Sequence, residues 1–277
     1  MTTLKVPGAT LYHEVRGTGP TLLLICGGVY DAAGYAGLAR ALADRYTVVT
    51  YDRRGNSRSP LDGPDGPQSL PEHADDAAAL LDLAGDGPAY VFGNSSGAII
   101  GLDLAARYPD RVRRLVAHEP PLFDLLPERD ELRAMVDEVE KTFAAEGPAA
   151  ANAVLGGLDM GPADADERAP GGGPAAEPDP ETLAMFGRLE HNFTFFIGYE
   201  VPPFGRYVPD YAALRDGTVE IVPAAGEASV GQPPYRAALA LGERLGTAAA
   251  SVPGDHGGFG QQAPAFAARL NELLREQ

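Results

Sequence analysis

Residues 90–100 read Tyr-Val-Phe-Gly-Asn-Ser-Ser-Gly-Ala-Ile-Ile, and they decide the fold. A short apolar run, typical of a buried strand, leads directly into the pattern G-x-S-x-G, and an apolar helical pattern follows at once. Gly93 and Gly97 lack a Cβ atom, so the strand and the helix can approach each other closely around the turn. The pattern therefore predicts that Ser95 stands at the tip of a sharp turn with its hydroxyl group exposed, where it can act as a nucleophile.

The length and the charge of the chain narrow the class of protein. A chain of 277 residues can bury one sizeable core and falls in the size range of single-domain α/β folds. The net charge of −17 argues against nucleic acid or an anionic membrane as a partner, because phosphate binding needs clustered cations. A small-molecule substrate is the expected partner, and the sequence leaves the oligomeric state open.

The sequence lacks the residue patterns of disulfides, metal sites and targeting segments. Cys26 is the only cysteine, which excludes an intrachain disulfide and a cysteine-rich metal site. No two histidines have the helical spacing of metal ligands, so we expect neither a metal nor another cofactor. Residues 1–7 form neither a basic nor an apolar targeting segment, and no apolar run reaches about 18 residues, so a cytoplasmic protein is expected.

Apolar runs and helical patterns alternate on both sides of residues 90–100. This alternation predicts a mostly parallel, doubly wound α/β sheet. The other predicted strands cover residues 2–13, 20–26, 46–51, 114–118, 218–223 and 248–252. The predicted helices cover residues 32–44, 72–84, 96–108, 128–146, 181–200, 234–245 and the chain from about residue 263.

The alternation is interrupted over residues 120–216. That block contains helical patterns but no convincing strand, and a Gly/Pro-rich stretch at residues 161–180 is predicted to be a mobile loop. We therefore predict a core domain made of residues 1–119 and 217–277, into which residues 120–216 are inserted as a helical cap.

Four motifs resemble those of the α/β-hydrolase superfamily, and together they span nearly the whole chain. The first is G-x-S-x-G at residues 93–97, which resembles the nucleophile elbow of the family, the sharp turn between the elbow strand and the elbow helix. The second is Asp52–Ser59, which is similar to the family's D-x-R-G-x-G-x-S loop. The others are Tyr108–Val112 after the elbow helix, and Pro253–Phe259. In the second motif, Ser57 stands where a second glycine is usual. The resemblance implies the α/β-hydrolase fold with a helical cap, a serine nucleophile at Ser95 and a catalytic histidine at His256 in the last motif.

The resemblance also implies an oxyanion hole made of backbone N–H groups, one from Ser96 and one from about Gly28. The family's strand before this loop usually ends in His-Gly, whereas this chain has Cys26 followed by two glycines. Both backbone donors remain, so the missing imidazole need not abolish the hole. Cys26 is itself a conceivable nucleophile, but it ends a buried strand without a neighbouring base and is expected to behave as a small hydrophobic residue.

The acid of the triad has two candidates. The family usually places it after the strand at residues 218–223, in a pattern like G-x-x-D, but Ser229 occupies that position here. Some relatives, haloalkane dehalogenases among them, take the acid from the end of the preceding strand, which corresponds to Glu119. We favour Glu119, because a glutamate at the end of a buried strand has no other evident purpose, and a carboxylate is needed to orient the histidine. Glu227 is the alternative, and otherwise a solvated loop carboxylate.

The remaining histidines are interpreted from their places in the pattern. His13 and His73 are expected on the surface. His118 ends the strand beside the elbow strand and is expected to be a packed neighbour of the site. His191 lies in the insertion, where it either lines the pocket or stays on the helix surface.

Aromatic residues are concentrated in residues 181–211 of the predicted cap. Most of them are expected to hold the cap onto the sheet domain, and a few to line an apolar cavity between the cap and the core. Such a cavity favours an uncharged, rather hydrophobic ester or lactone as the substrate. The pocket candidates are Tyr30, Phe123, Phe186, His191, Phe193, Phe196 and Tyr199.

The predicted reaction is ester or lactone hydrolysis by Ser95, His256 and Glu119 through an acyl-enzyme. A serine at the elbow argues against the dehalogenase and epoxide-hydrolase chemistries, which need a carboxylate nucleophile. Two alternatives stay open. One is a C–C bond hydrolase or polyketide-type tailoring enzyme on the same fold, and the other is a non-catalytic small-molecule receptor.

Overall fold

One eight-stranded sheet organises the computed structural model, which describes residues 2–85, 87–156 and 180–275. Its strands are β1 Thr2–Val6, β2 Ala9–Arg16, β3 Thr21–Ile25, β4 Thr47–Tyr51, β5 Ala89–Asn94, β6 Val112–His118, β7 Glu220–Gly226 and β8 Ala250–Val252. Their order across the sheet is β1-β2-β4-β3-β5-β6-β7-β8. Strand β2 is antiparallel to β1 and β4, and the remaining neighbours are parallel. The predicted mostly parallel, doubly wound sheet is confirmed.

The helices of the described residues flank the sheet or lie between β6 and β7. They are α1 Ala36–Leu42, α2 Leu70–Ala84, α3 Ser96–Arg107, α4 Arg129–Glu146, α5 Pro148–Leu155, α6 Pro180–Phe195, α7 Val201–Gly205, α8 Tyr211–Asp216, α9 Pro233–Leu245, α10 Gly258–Gln261 and α11 Ala263–Leu274. A π-helical turn, Phe196–Glu200, joins α6 to α7.

Both faces of the sheet are buried, which explains why its parallel strands are almost continuously apolar. On β3, Leu22 and Leu24 belong to the apolar cluster on the side of α1 and α11. Leu23 and Ile25 point the other way, into the cluster on the side of α2 and α3. Burying each such side chain contributes roughly 1.5–3 kcal/mol, so the strands form a firm base for the loops at their ends.

The winding of the sheet reverses at β3, which pairs with β4 on one side and with β5 on the other. At such a point, the loops that leave the carboxyl ends of the two neighbouring strands turn to opposite faces and open a crevice between them. The loop at residues 26–31 follows β3, and Ser95 follows β5. The topology therefore brings this loop and this serine to the same crevice.

The segment between β6 and β7 is helical wherever the structure describes it, apart from turns and short connections. Val139, Ala151 and Ile197 pack in a small apolar cluster that is separate from the two clusters on the sheet. The boundaries of the predicted cap, residues 120–216, stay a prediction. The mobile loop predicted at residues 161–180 lies, except for its last residue, outside the described residues.

The strand predicted at residues 2–13 is wrong in its extent, because the chain turns back within it. Gly8 has φ +80°, a conformation that glycine adopts without strain, and β2 folds back antiparallel on β1. His13, expected on the surface, is buried on β2 opposite Tyr51 of β4.

His73 was also expected on the surface and is fully buried. It shares the inner face of α2 with Leu70 and Ala77, three and four residues away, where helical geometry aligns side chains. The ring of Phe204 packs edge-on against it with 5.3 Å between centroids. Its position on the helix, and not its polar character, decides its environment.

Candidate active site

The chain turns sharply between β5 and α3, and Ser95 is the residue at the turn. Its backbone has φ +55° and ψ −124°, a combination that L residues rarely adopt. Two glycines make the turn possible: a Cβ atom on Gly93 would lie 2.4 Å from the Gly97 carbonyl oxygen, and one on Gly97 would lie 2.1 Å from that of Ile25. Ser95 keeps only 7% of its surface exposed, less than the pattern predicts.

The carboxylate of Glu119 is hydrogen-bonded to His256. Its Oε2 atom lies 2.6 Å from His256 Nδ1, and its Oε1 atom accepts a hydrogen bond of 2.8 Å from the backbone N–H of Gly226. Burial alone would raise the pKa of this carboxyl group, but the hydrogen bond from His256, the nearby imidazoles and the Gly226 N–H outweigh burial and lower its pKa. The carboxylate is therefore ionised at neutral pH and accepts a hydrogen bond from the Nδ1–H group of the imidazole.

Asn94 ties the elbow to the loop that carries His256. Its Nδ2 group donates to the carbonyl oxygen of His256 at 3.2 Å and to Nδ1 of His118 at 3.0 Å. The backbone N–H of Ser95 donates to the carbonyl oxygen of His118 at 2.9 Å. The structure thus brings Ser95, Glu119 and His256, which are far apart in sequence, to the same edge of the sheet, where they follow β5, β6 and β8.

His118 is a fully buried imidazole beside this cluster, as the sequence predicts. Burial lowers its pKa to about 4, so the ring is neutral at neutral pH. Because Asn94 donates to Nδ1, the ring proton is on Nε2, which has no hydrogen-bond partner and lies 4.0 Å from Glu119 Oε1. The ring stacks with that of His256, with 6.2 Å between centroids.

Glu227, the alternative acid, is exposed and makes a different contact. Its Oε1 atom accepts a hydrogen bond of 3.1 Å from the hydroxyl group of Ser251 on β8. Ser229, at the family's usual acid position, is fully buried, and its hydroxyl group has no hydrogen-bond partner. The structure therefore brings Glu119, and not Glu227, to His256.

The two predicted oxyanion donors lie next to each other. Ser96 is the first residue of α3, where backbone N–H groups have no partner within the helix. Gly28 has φ +54°, and its N–H donates to the hydroxyl oxygen of Ser96 at 3.0 Å. The Gly28 donor is thus engaged by a side chain in this structure.

Cys26 is a buried thiol at the start of the oxyanion loop, defined here as residues 26–31. Its Sγ–H group donates to the carbonyl oxygen of Tyr30 at 3.1 Å. Burial raises the pKa of the thiol to about 12, so it stays protonated at neutral pH and is a poor nucleophile.

Sequence reasoning missed a buried ion pair that joins the helical segment between β6 and β7, which contains the predicted cap, to the oxyanion loop. Arg53 Nη2 lies 2.6 Å from Glu200 Oε2, and both side chains are fully buried. The same guanidinium donates to the carbonyl oxygen of Cys26 at 2.5 Å and to that of Gly28 at 2.7 Å. Asn56 donates to the second Glu200 oxygen at 2.9 Å, so the carboxylate is bonded on both sides.

A second set of polar contacts explains why Ser57 departs from the family's glycine. Its φ of +49° is in the region that favours glycine. Its N–H donates to Asn192 Oδ1 at 2.7 Å, and its hydroxyl group donates to Asp31 at 3.0 Å. Arg188 also binds Asp31, at 2.7 Å. Helix α6 is therefore seated on the loops after β3 and β4 through polar side chains.

Several aromatic pocket candidates pack within the insertion. Phe193 and Phe196 lie against the apolar cluster of the insertion, and Tyr199 packs edge-on against Phe143. These contacts hold the helices between β6 and β7 to one another. The sequence predicts a structural role for most of the aromatic residues, but as contacts between the cap and the sheet domain.

The other pocket candidates are dispersed. Phe123 is buried in the core cluster on the α2 and α3 side of the sheet. His191 is exposed, and its Nε2 atom lies 3.0 Å from a backbone carbonyl oxygen of the loop after β4. Tyr30 is 39% exposed and stands edge-on to Phe259, with 6.0 Å between centroids. The side chain of Phe186 lies outside the described part of the chain.

The described residues contain no group of three or more histidine, cysteine, aspartate or glutamate side chains that could hold a metal ion. Within the same residues, no helix combines the length and the apolar character needed to cross a membrane. A cavity of about 400 Å³ lies at the amino ends of β3 and β4, where Thr21 and Thr47 line it, at the opposite edge of the sheet from Ser95.

Known proteins are similar to this chain in sequence and in fold. A family model described as the α/β hydrolase fold matches residues 20–174. YraK of Bacillus subtilis (strain 168), named an uncharacterized hydrolase, is 37% identical over 282 residues, which cover 99% of this chain and 96% of that protein.

Solved structures are similar over nearly the whole length. A thermophilic esterase from Thermogutta terrifontis has a TM-score of 0.74 at 18% identity, covering 99% of this chain and 98% of that one. Est816, described as an N-acyl homoserine lactone degrading enzyme, has a TM-score of 0.69 at 22% identity and covers 99% of both chains. At these identities, the likeness shows the fold.

Proposed function

The chain belongs to the α/β-hydrolase fold family and is a hydrolase of that fold, and from this premise we propose that it is a serine hydrolase acting on an uncharged, rather hydrophobic carboxylic ester or lactone. The observation that carries the proposal is the contact of 2.6 Å between Glu119 Oε2 and His256 Nδ1, next to a serine in a strained turn. These three side chains have the roles of an acid, a base and a nucleophile.

In the first step, the Oγ atom of Ser95 attacks the substrate carbonyl carbon while Nε2 of His256 takes the hydroxyl proton. The base is needed because a serine hydroxyl is a weak nucleophile near neutral pH. The Glu119 carboxylate stabilises the imidazolium that forms, and its lowered pKa supports this role because the group stays ionised.

The negative charge that develops on the substrate oxygen is stabilised by the N–H groups of Ser96 and Gly28. Removing one such donor typically costs about 10²–10³ in rate, so both matter. In the resting structure the Gly28 N–H donates to the Ser96 hydroxyl oxygen. It becomes available to the oxyanion when that hydroxyl group rotates to another staggered position.

Collapse of the tetrahedral intermediate breaks the bond to the leaving alkoxide, which takes the proton from His256 Nε2. Water then attacks the acyl carbon with the same imidazole as base, and the bond between the acyl carbon and Ser95 Oγ breaks. The carboxylic acid leaves, and the serine regains its proton. For a lactone, both products stay in one molecule.

The surroundings of the site support an uncharged substrate. The net charge of −17 repels anions from the protein. Tyr30, on the oxyanion loop, is partly exposed and its ring stands edge-on to that of the buried Phe259, which suits an apolar acyl or alkyl group. The esterase and the lactone-degrading enzyme among the similar structures fit both substrate types.

A panel of p-nitrophenyl esters of graded acyl length, supplemented with simple lactones, tests the proposal. We expect turnover that Ser95→Ala lowers by at least about 10⁴-fold, and labelling of the wild type but not the variant by a fluorophosphonate probe. Activity of the variant within about tenfold of the wild type would exclude Ser95 as the nucleophile.

The same panel separates the alternatives. Labelling of Ser95 without turnover of any ester or lactone would favour a C–C bond hydrolase or a tailoring enzyme. Neither labelling nor turnover would favour a small-molecule receptor and contradict the proposed hydrolysis.

A further inference from the structure

We propose that Arg53 is a positioning residue that fixes the oxyanion loop, and that Glu200 of the inserted helices holds Arg53 in place. The seating of the insertion and the shape of the oxyanion hole would then be coupled through one buried ion pair. This inference rests on the proposed hydrolase function and extends it to residues outside the triad.

Arg53 binds the backbone on either side of the Gly27–Gly28 peptide unit, which carries the N–H group proposed as an oxyanion donor. Its guanidinium binds the carbonyl oxygens of Cys26 and Gly28, at 2.5 and 2.7 Å. The carbonyl oxygen between them, that of Gly27, accepts a hydrogen bond of 3.3 Å from the N–H of Tyr30. Because the peptide unit is planar, fixing the Gly27 carbonyl and its two neighbours fixes the direction of the Gly28 N–H.

The oxyanion loop needs such support because its own residues restrict its backbone conformation only weakly. Gly27 and Gly28 follow each other, and Gly28 has φ +54°. Glycine has the largest backbone freedom of any residue, so this loop would otherwise populate many directions of its N–H groups. The planar guanidinium presents several donors in a fixed fork, which lets one side chain hold two carbonyl oxygens at once.

Glu200 provides the counter-charge that makes the buried guanidinium tolerable. Arg53 and Glu200 are both fully buried, and an unpaired charge there would be strongly unfavourable. Asn56 holds the second oxygen of the carboxylate, and Arg53 Nε has no partner, so the guanidinium is anchored through its two Nη groups. Glu200 ends the π-helical turn Phe196–Glu200, a local geometry often found at functional sites.

The neighbouring residue provides a matched control. Arg54 makes two bonds of 2.7 Å to Asp76, and these side chains are 5% and 1% exposed. Its remaining backbone contact, at 3.2 Å, is the carbonyl oxygen of Pro7, away from the oxyanion loop. The two arginines thus share their segment and their burial, but only Arg53 contacts the loop.

The test compares R53M/E200Q with R54M/D76N in the full-length chain. Each double variant removes both charges of a buried pair, so no buried charge is left unpaired; Glu72, which also contacts Arg54, is exposed to solvent. The measurements are kcat and KM for the best ester of the panel, and the affinity of an alkylboronic acid. The boronic acid forms a tetrahedral adduct with the serine and places an oxygen in the oxyanion hole.

For R53M/E200Q we expect kcat to fall by about 10- to 100-fold with KM within about threefold, and the boronic acid affinity to fall with kcat, because the loss is specific to the transition state. For R54M/D76N we expect kcat within about threefold of the wild type. A purely structural role of Arg53 would lower thermal stability in both variants without separating their kcat values.

If R53M/E200Q does not fold, Arg53→Lys keeps the charge opposite Glu200 but lacks the fork, and kcat should fall by about tenfold. A folded Arg53 variant with kcat and boronic acid affinity within about threefold of the wild type would overturn the inference, as would an equal loss in R54M/D76N. A wild type that neither turns over esters nor is labelled would instead contradict the proposed function, before any variant is made.

Discussion

Glu119 and Glu200 are both fully buried carboxylates, yet they are paired in different ways. Glu200 faces Arg53, which is 0% exposed, in contacts that exclude solvent. Glu119 faces His256, whose side chain is 21% exposed at the crevice. A guanidinium stays protonated under all ordinary conditions, whereas an imidazole can exchange a proton near neutral pH.

The different partners give the two buried glutamates different roles. In the proposed mechanism, the imidazole of His256 takes up and releases a proton while its hydrogen bond to Glu119 holds the ring in place. The guanidinium of Arg53 keeps its charge, so its pair with Glu200 can only fix the position of the groups it binds. Loss of Glu119 should therefore reduce the rate, and loss of Glu200 should first reduce stability.

Among the substitutions that probe these two carboxylates and their neighbours, Glu119→Gln is expected to have the largest effect. An amide cannot stabilise the imidazolium and favours the wrong tautomer of His256, so kcat should fall by about 10²- to 10⁴-fold in the ester assay. Glu227→Gln, the matched control in an exposed loop, should change kcat by less than about tenfold. A reversed result would make Glu227 the acid, and two mild results would leave Ser95 and His256 working as a dyad.

Glu200→Gln tests the structural role assigned to the second buried carboxylate. It leaves the charge of Arg53 buried without a counter-charge, which should lower the free energy of unfolding by about 3–5 kcal/mol. Urea denaturation with Glu227→Gln as an exposed control measures this cost. A loss below about 1 kcal/mol would show that water or another group compensates Arg53, against the dry pair that the structure describes.

His118 allows a test of burial next to Glu119 and His256. Its pKa is lowered to about 4, so between this value and its ordinary value of 6.5 the folded protein binds fewer protons than the unfolded chain. The stability it contributes is complete above the ordinary value and is lost as the pH falls toward the folded one, by about 2 kcal/mol at pH 5.0. His118→Gln, which cannot titrate, should lose that much less between pH 7.5 and 5.0 in urea denaturation. Equal losses would contradict the burial of a neutral imidazole there.

The smallest expected effect is that of Ser96→Ala. The substitution removes the oxygen that accepts from the Gly28 N–H in the resting structure, so kcat should stay within about threefold of the wild type or rise slightly. A fall of about 10²-fold would mean that the Ser96 hydroxyl itself donates to the oxyanion. That result would contradict the assignment of two backbone donors.

The parts of the fold and site that sequence predicts are those encoded over short distances. The strand, turn and helix around Ser95 follow from an apolar run and two glycines within a few residues. Glu119 could be proposed because some relatives take their acid from the end of this strand, and because a glutamate at the end of a buried strand has no other evident purpose.

The parts that sequence did not predict depend on pairs of distant residues. Arg53 and Glu200 are 147 positions apart, and nothing near Glu200 marks it as a buried counter-charge. Ser57 was noted as a departure from the family motif, but its partner Asn192 could not be identified without the packing of α6. His73 was misplaced because its residue type suggested solvent, although its spacing from Leu70 indicated the inner face.

The most direct test of the central claim is to locate the acyl group during turnover. Wild-type protein is mixed with the best p-nitrophenyl ester, quenched in acid within milliseconds and analysed by peptide mass spectrometry. We expect the acyl mass on Ser95 and none in Ser95→Ala. An acyl group on Cys26 or Ser96, or turnover without any acylated peptide, would contradict the account.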